Sequence, residues 1–346
     1  MLEKMKKKYK GNSTPEEIKN EILKAENIIL TAHINPDGDA LGSVIAFAMM
    51  IEEYNRKFIK NASELKKVRI VIDDKLPKYM DKFEESLFIE KYDDFSMDGK
   101  ADLFISLDCA NEERYGRAAE IKKKCKKSVN IDHHISNTEH AELNYIEDVS
   151  STGELLYQFL GLFDIEITKK IADFLYLGII NDTGNFRHDN VTSETFAICS
   201  KLMKAGADNH KIANIIFGMN IKKVNLFGDV YKNNVMDKEY GFIYYYLPKE
   251  KMEEFGAEKD DTDGIAELLL KIEDTELSLF VREENDGTLK GSLRCNEKYN
   301  VNEIASIFNG GGHIKAAGFK TVLLFSEVLE KIYEKLKECK SVSNEK

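Results

Sequence analysis

The sequence predicts an α/β protein of two domains, the first with a largely parallel sheet flanked by helices and the second a smaller α+β domain. Three observations carry this. The chain has 346 residues, about twice the length of an ordinary single domain. Over roughly residues 15–200, short apolar runs rich in β-branched residues alternate with helical patterns, as strands of a sheet covered on both faces do. Beyond residue 239 the pattern changes to a Tyr/Ile-rich strand, then two strands joined around Asp286-Gly287, a strong hairpin signal.

The elements follow in order. Ser13 or Thr14 caps a helix over 13–25, with Pro15 at its first position and Glu16 and Glu17 in its first turn. Strands are predicted at 28–32, 68–72, 102–107 and 128–131, and helices at 40–54, 151–161, 168–180 and 193–205. Ser151 with Glu154 reads as a capping box. Residues 1–205 are assigned to the first domain, 206–238 to a linker of short amphipathic helices, and 239–346 to the second domain. The second domain is read as strand 240–247, helices 249–256 and 263–272, strands 276–284 and 288–295, a Gly-rich loop at 310–312 and a last helix at 326–339.

Composition limits the function. Hydrophobic residues make up 42% of the chain, with 19 Phe and 15 Tyr, which is enough apolar material to rule out general disorder. The 61 acidic residues outnumber 50 basic ones, giving −11, so the chain is a poor candidate for gripping long duplex nucleic acid. No run approaches the roughly 18 apolar residues of a membrane span. The first ten residues are basic but lack the apolar stretch of a secretory signal. Five widely spaced cysteines without a CxxC pair read as free thiols, so a cytoplasmic location is expected.

Five segments carry chemistry. Ala32-His33-Ile-Asn-Pro-Asp37-Gly38-Asp39 lies after a strand and before a helix, where open α/β sheets bind ligands. It reads either as a cluster of metal ligands or as an Asp-Gly turn and an Asp N-cap. Asp108 ends another strand, and Asp132-His133-His134 ends a third. Imidazole is a common metal ligand, and a neighbouring carboxylate can orient its ring. Asp182 lies where an apolar helix gives way to Thr183-Gly184-Asn185. Each alone is also an ordinary turn residue, but together four Asp and two His fall at element ends of one domain. Four clustered carboxylates repel unless neutralised, and two divalent cations cancel their charge. Oxygen and imidazole donors without thiolate suit Mn²⁺ or Mg²⁺, with Co²⁺ or Zn²⁺ also compatible. Two such ions are a recurrent device for phosphoryl displacement. The fifth segment, Asn309-Gly310-Gly311-Gly312-His313, with Arg294 upstream, reads as an anion pocket or as a flexible hairpin.

In this order the segments resemble the DHH family of phosphoesterases. The resemblance rests on His-x-x-Pro-Asp-Gly-Asp-Ala-x-Gly-Ser at 33–43, Asp108, Asp-His-His at 132–134, Asp-Thr-Gly at 182–184, and Gly-Gly-Gly-His-x-x-Ala-Ala-Gly at 310–318. The last is similar to the signature of the DHH-associated C-terminal domain. The resemblance implies that His33, Asp37 and Asp108 hold one metal, and that Asp39, Asp108, His133 and Asp182 hold the other. It implies that His134 contacts the scissile phosphate and helps protonate the leaving oxygen, making His134 and Asp108 the catalytic pair. Asp132 would orient its neighbours, and Arg294, Gly310, Gly311, Gly312 and His313 would bind substrate across an interdomain cleft. Size and the lack of extra domains are most similar to members combining oligoribonuclease and 3′,5′-bisphosphate nucleotidase activities. Those act on short single-stranded RNA of roughly two to five nucleotides and on pAp, which suits an acidic chain better than a long strand does. Alternatives are a hydrolase of linear or cyclic dinucleotides such as pApA or c-di-AMP, a pyrophosphatase, and a catalytically silent nucleotide-binding module. Cys295 and Asn181 depart from residues common in relatives, and neither removes a ligand. A homodimer is compatible with the sequence.

Overall fold

A computed structural model describes residues 9–97 and 101–343. Residues 1–8, most of the basic segment considered as a signal, lie outside them. The chain divides into two compact units between Gly218 and Met219.

The first unit begins with β1 (Tyr9–Lys10), α1 (Pro15–Lys24), β2 (Asn27–Thr31), α2 (Gly38–Phe58), β3 (Lys67–Ile72) and β4 (Ile89–Lys91). It continues with β5 (Leu103–Leu107), α3 (Ala119–Lys122), β6 (Lys127–Asp132) and β7 (Leu143–Glu147). Helices α4 (Thr152–Leu162), α5 (Lys169–Asp182), α6 (Ser193–Lys204) and α7 (Asn209–Phe217) complete it. The sheet runs β1-β7-β6-β5-β2-β3-β4, and every neighbouring pair is parallel except β1 with β7. From β2 the chain moves outward through β3 to β4, then returns to β5 on the other side of β2. The carboxyl ends of β2 and β5 therefore form the topological switch point, where such sheets open a crevice for ligands.

Alternation along the strands builds a layer on each face. Ile28 and Leu30 of β2 and Leu103, Ile105 and Leu107 of β5 join a core with α2, α4 and α5. Ile29 and Phe104 face the other way, toward Val71, Tyr115 and Ile121. In the larger core Phe47 and Phe159 meet edge to face at 5.4 Å, the geometry their ring quadrupoles favour. Gly178 of α5 lets α2 come close: a Cβ there would stand 2.4 Å from Asp39 Oδ1.

The second unit comprises α8 (Ile221–Asn233), β8 (Val235–Asp237), β9 (Phe242–Leu247), α9 (Lys249–Phe255), α10 (Ile265–Leu270) and β10 (Leu277–Glu283). After these come β11 (Leu289–Cys295), α11 (Val301–Ser306), β12 (Gly311–Gly312), β13 (Ala316–Thr321) and α12 (Phe325–Ser343). Its sheet runs β12-β13-β11-β10-β9-β8, with only β9 and β10 parallel. Within 206–238, read above as a linker, Ile212 and Ile215 of α7 pack into the first unit's core. Leu226 and Val230 of α8 pack with Ile243 and Tyr245 of β9.

The local signals hold with instructive exceptions. Thr14, not Ser13, caps α1 in a reciprocal box with Glu17. Ser151 caps α4 by accepting from Glu154 N–H, but the Glu154 carboxylate does not complete the box. It accepts instead from Ser150 Oγ and Thr195 Oγ1. Strands β7 and β13 and helix α11 have no counterpart in the sequence reading. Leu-Asn-Tyr-Ile-Glu and Ala-Ala-Gly-Phe-Lys-Thr have weak strand propensity, and pairing with β6 and β11 makes them strands. Among the described residues no helix is long and apolar enough to cross a membrane, and all five cysteines are free.

Candidate metal centre

The loops after β2, β5 and β6 and the end of α5 bring the first unit's candidates together. His33 Nδ1–H donates to Ile34 O at 2.8 Å, which fixes the tautomer and leaves Nε2 for the carboxylates. That atom lies 3.5 Å from Asp108 Oδ2 and 3.9 Å from Asp37 Oδ2. Asp37 is indeed the N-cap of α2: its Oδ1 accepts from the amides of Asp39 and Ala40, at 3.0 and 3.1 Å. Only one of its oxygens is needed for capping, so the turn reading and the ligand reading of this residue are compatible.

Asp39 is completely buried. Its oxygens accept from Thr152 N at 2.6 Å and Gly153 N at 2.9 Å, the first amides of α4, whose positive end stabilises the carboxylate. Asp108 follows β5 with a φ of 59°, a left-handed conformation that non-glycine residues seldom adopt. Thr152 Oγ1 donates to its Oδ1 at 3.1 Å, and His133 Nε2 and His134 Nδ1 lie 3.5 and 3.6 Å from the same oxygen. His133 Nδ1 pairs with Val149 O at 3.2 Å. Its Nε2 stands 3.0 Å from Asp182 Oδ2 and 4.0 Å from Asp39 Oδ2. Asn181 Nδ2 donates to the other oxygen of Asp182 at 3.1 Å. Asp132, also completely buried, holds His134 Nδ1 at 2.7 Å.

The electrostatics show carboxylates short of positive charge. Burial, then the charges of Asp108 and Asp182, push the Asp37 carboxyl up to about 6, and the same causes push Asp39 well above its ordinary value. Burial acts the same way on Asp108, but the His33 contact and the charges of His133 and His134 outweigh it and hold that carboxyl down to about 2. Against burial, Asp108 raises His33, Asp182 raises His133 well above the ordinary value, and Asp132 raises His134.

Two groups of donors could each hold a cation: His33, Asp37 and Asp108, and Asp39, His133 and Asp182. Asp108 also groups with His133 and His134, and within each group the donor atoms lie within 4.8 Å of one another. The donor set fits a hard or borderline divalent ion. His133 Nε2 is shielded from solvent and makes no hydrogen bond. A buried ring nitrogen that faces three carboxylates at 3.0–4.0 Å, with no hydrogen bond of good geometry to any of them, fits a donor set that could hold a cation.

The second unit carries the remaining candidates. Arg294, on β11, donates from Nε to Glu267 Oε1 at 2.7 Å and from Nη1 to Leu293 O at 2.8 Å. With Lys290, Ser292 and Glu267 it lines a cavity of about 290 Å³. Gly310 N donates to Ala305 O and Gly312 N to Asn302 Oδ1, at 3.0 and 2.9 Å. These two amides therefore do not form the open anion cradle expected of the glycine run, because helix α11 uses them. A Cβ at Gly310 would stand 2.3 Å from Gly318 O, so close chain approach accounts for that glycine. His313 is exposed.

Several contributors escape sequence reading. Thr152 and Gly153 are ordinary first-turn residues whose partners come from elements more than 40 residues away in sequence. Their only signal is the helix start after Ser151. Asn137 is buried beneath Asp132 and has no sequence signal at all.

Two family models match. Residues 27–179 match the DHH family, N-terminal domain, and residues 239–341 match the DHHA1 domain. The chain carries a DHH family N-terminal domain followed by a DHHA1 domain. Among its relatives, the probable bifunctional oligoribonuclease and PAP phosphatase NrnA of Streptococcus mutans is 28% identical over 316 residues. That match covers 90% of this chain and 94% of the relative. The bifunctional oligoribonuclease and PAP phosphatase NrnA of Thermus thermophilus is 27% identical over 328 residues, covering 91% and 93%. The crystal structure of an exopolyphosphatase-related protein from Bacteroides fragilis superposes with a TM-score of 0.82 at 25% identity, covering 94% of this chain and 96% of that one.

Proposed function

We propose that the protein is a two-metal phosphoesterase that hydrolyses short RNA oligonucleotides to mononucleotides and removes the 3′-phosphate of pAp. The observation that carries this reading is the convergence of three carboxylates on one buried imidazole nitrogen at the switch point of the sheet. The named activities of the Streptococcus mutans and Thermus thermophilus relatives, matched over most of both chains, supply the substrates.

In this reading His33, Asp37 and Asp108 hold one ion, and Asp39, Asp108, His133 and Asp182 hold the other, with Mn²⁺ the preferred metal. When bound, such ions acidify water and stabilise the charge that develops on phosphoryl oxygens. His134, with Nδ1 held by Asp132, keeps Nε2 free to give a proton to the leaving oxygen. Arg294 and His313 bind the substrate's phosphate or terminal nucleotide, and among the described residues no hydrogen bond of Arg294 Nη2 competes for that role. Gly310 and Gly312 admit the close approach of chain that presents His313, and Gly311, where a Cβ would fit, leaves room for the substrate. Few cationic side chains are required, which suits a short substrate and a net charge of −11. Free cysteines suit a reducing cytoplasm.

The test is hydrolysis of a 5′-labelled RNA trinucleotide with Mn²⁺, with Asp108→Ala as control. Stepwise release of mononucleotides by the unmodified protein alone is expected. RNA left intact while pAp or pApA is turned over would remove the ribonuclease half of the reading.

A further inference from the structure

Asp132 is completely buried and Asn137 is 1% exposed, whereas the His134 side chain they support is 42% exposed. Asn137 Nδ2 donates to Asp132 Oδ2 at 2.6 Å and lies 3.0 Å from both Asn130 Oδ1 and Cys109 O. Its Oδ1 accepts from Glu139 N at 2.7 Å, and its own N–H donates to His134 O at 3.1 Å, closing the turn that carries the histidine. Its carbonyl accepts from Lys10 Nζ in the β1 strand. Behind it the chain of bonds continues from Asn130 Nδ2 to Ser106 Oγ at 3.0 Å, and from Ser106 Oγ to Tyr115 OH at 3.0 Å. A half-exposed imidazole after the last residue of a strand has rotamer freedom to lose. A carboxylate fixed on its far side by a buried amide removes that freedom by holding the ring through its Nδ1–H and favours the imidazolium form that carries a proton on Nε2 as well.

We propose that Asn137 is the positioning residue of His134: by anchoring Asp132 Oδ2 and closing the 134–137 turn, it sets the imidazole for proton donation to the leaving oxygen. The inference rests on the role given to His134 above. In the step concerned, water oxygen bonds to phosphorus and its proton passes to solvent. The bond from phosphorus to the leaving nucleoside oxygen breaks, and that oxygen takes the Nε2 proton of His134 in its imidazolium form, which keeps its Nδ1–H on Asp132 and regains the Nε2 proton from solvent.

A poor leaving group needs that proton and a good one does not, so the two separate positioning from general damage. Asn137→Ala is expected to lower kcat on an RNA dinucleotide, whose leaving group is an alkoxide, by about 10–100-fold with little change in KM. On the p-nitrophenyl ester of thymidine 5′-phosphate the loss is expected to stay within about threefold. Mn²⁺ binding, followed by calorimetry on the resting protein, is expected to match the unmodified protein. Asn137→Asp, isosteric but without the donor, is expected to reproduce the pattern if the alanine variant folds poorly. In the His134→Ala background, Asn137→Ala is expected to add nothing. Equal losses on both substrates, or losses that add to those of His134→Ala, would overturn the proposal while leaving the role of His134 intact. A His134→Ala protein that hydrolyses the dinucleotide normally would remove that role, and the proposal with it.

Discussion

The carboxyl-end loops of the first unit and the glycine-rich hairpin of the second both stand out in the sequence, and their hydrogen bonds differ in kind. In the hairpin two of the three glycine amides are already used. Gly310 and Gly312 donate to Ala305 and Asn302, and chain packing explains the glycine at 310. In the loops, backbone amides hold the carboxylates from behind, through Ala40, Thr152 and Gly153, and the side-chain acceptors face one another with a bare imidazole nitrogen among them. Folding alone accounts for the first arrangement. The second is costly without a bound cation, because like charges are buried together. A motif is best judged by what its polar groups still lack after the chain has folded.

Four measurements would break or sharpen that contrast. Asp108→Ala removes the carboxylate shared by all the facing imidazoles, and hydrolysis is expected to fall by about 10³-fold or more while the fold is kept. Retained activity would show that the loops are structural after all. Gly310→Ala in the hairpin is expected to cost about 1–3 kcal/mol of stability, read as a lower denaturant midpoint, because a Cβ has no room beside Gly318 O. An unchanged midpoint would reopen the anion-cradle reading of the glycines. His313→Ala, on the exposed tip, is expected to raise KM for a dinucleotide about fivefold with kcat little changed, since one rim contact is worth on the order of 1 kcal/mol.

The smallest effect concerns pH. In the metal-free protein Asp37 titrates at about 6 against an ordinary 3.8, and Asp39 is also raised, so between these values the folded state holds protons that the unfolded chain has released. Stability from these groups is therefore greatest below pH 4 and declines as pH rises through about 6. His33 and His134, also raised, lose their contribution above the ordinary 6.5. Adding Mn²⁺ replaces the missing protons, so the gain in melting temperature on adding it is expected to widen from about pH 5 to about pH 8. A gain that is flat across that range would count against a cation among these residues.

Period and punctuation in the sequence determined the buried strands β2, β3, β5 and β6, the helices between them, and the residue types of the centre. Buried parallel strands need continuous apolar runs, and it is the gathering of Asp and His at several element ends of one domain, each alone an ordinary turn residue, that marks the centre. Sequence could not determine β7 or β13, whose residues become strands only by pairing with β6 and β11. Nor could it show that Asp37 both caps α2 and faces His33, that α4 aims its first amides at Asp39, or that Asn137 lies beneath Asp132. Those facts belong to the tertiary structure. Period and propensity act between residues within a few positions of one another, whereas the hydrogen bonds to the buried Asp39 carboxylate join it to Thr152 and Gly153, which only the closed sheet and its packed helices bring within 3 Å.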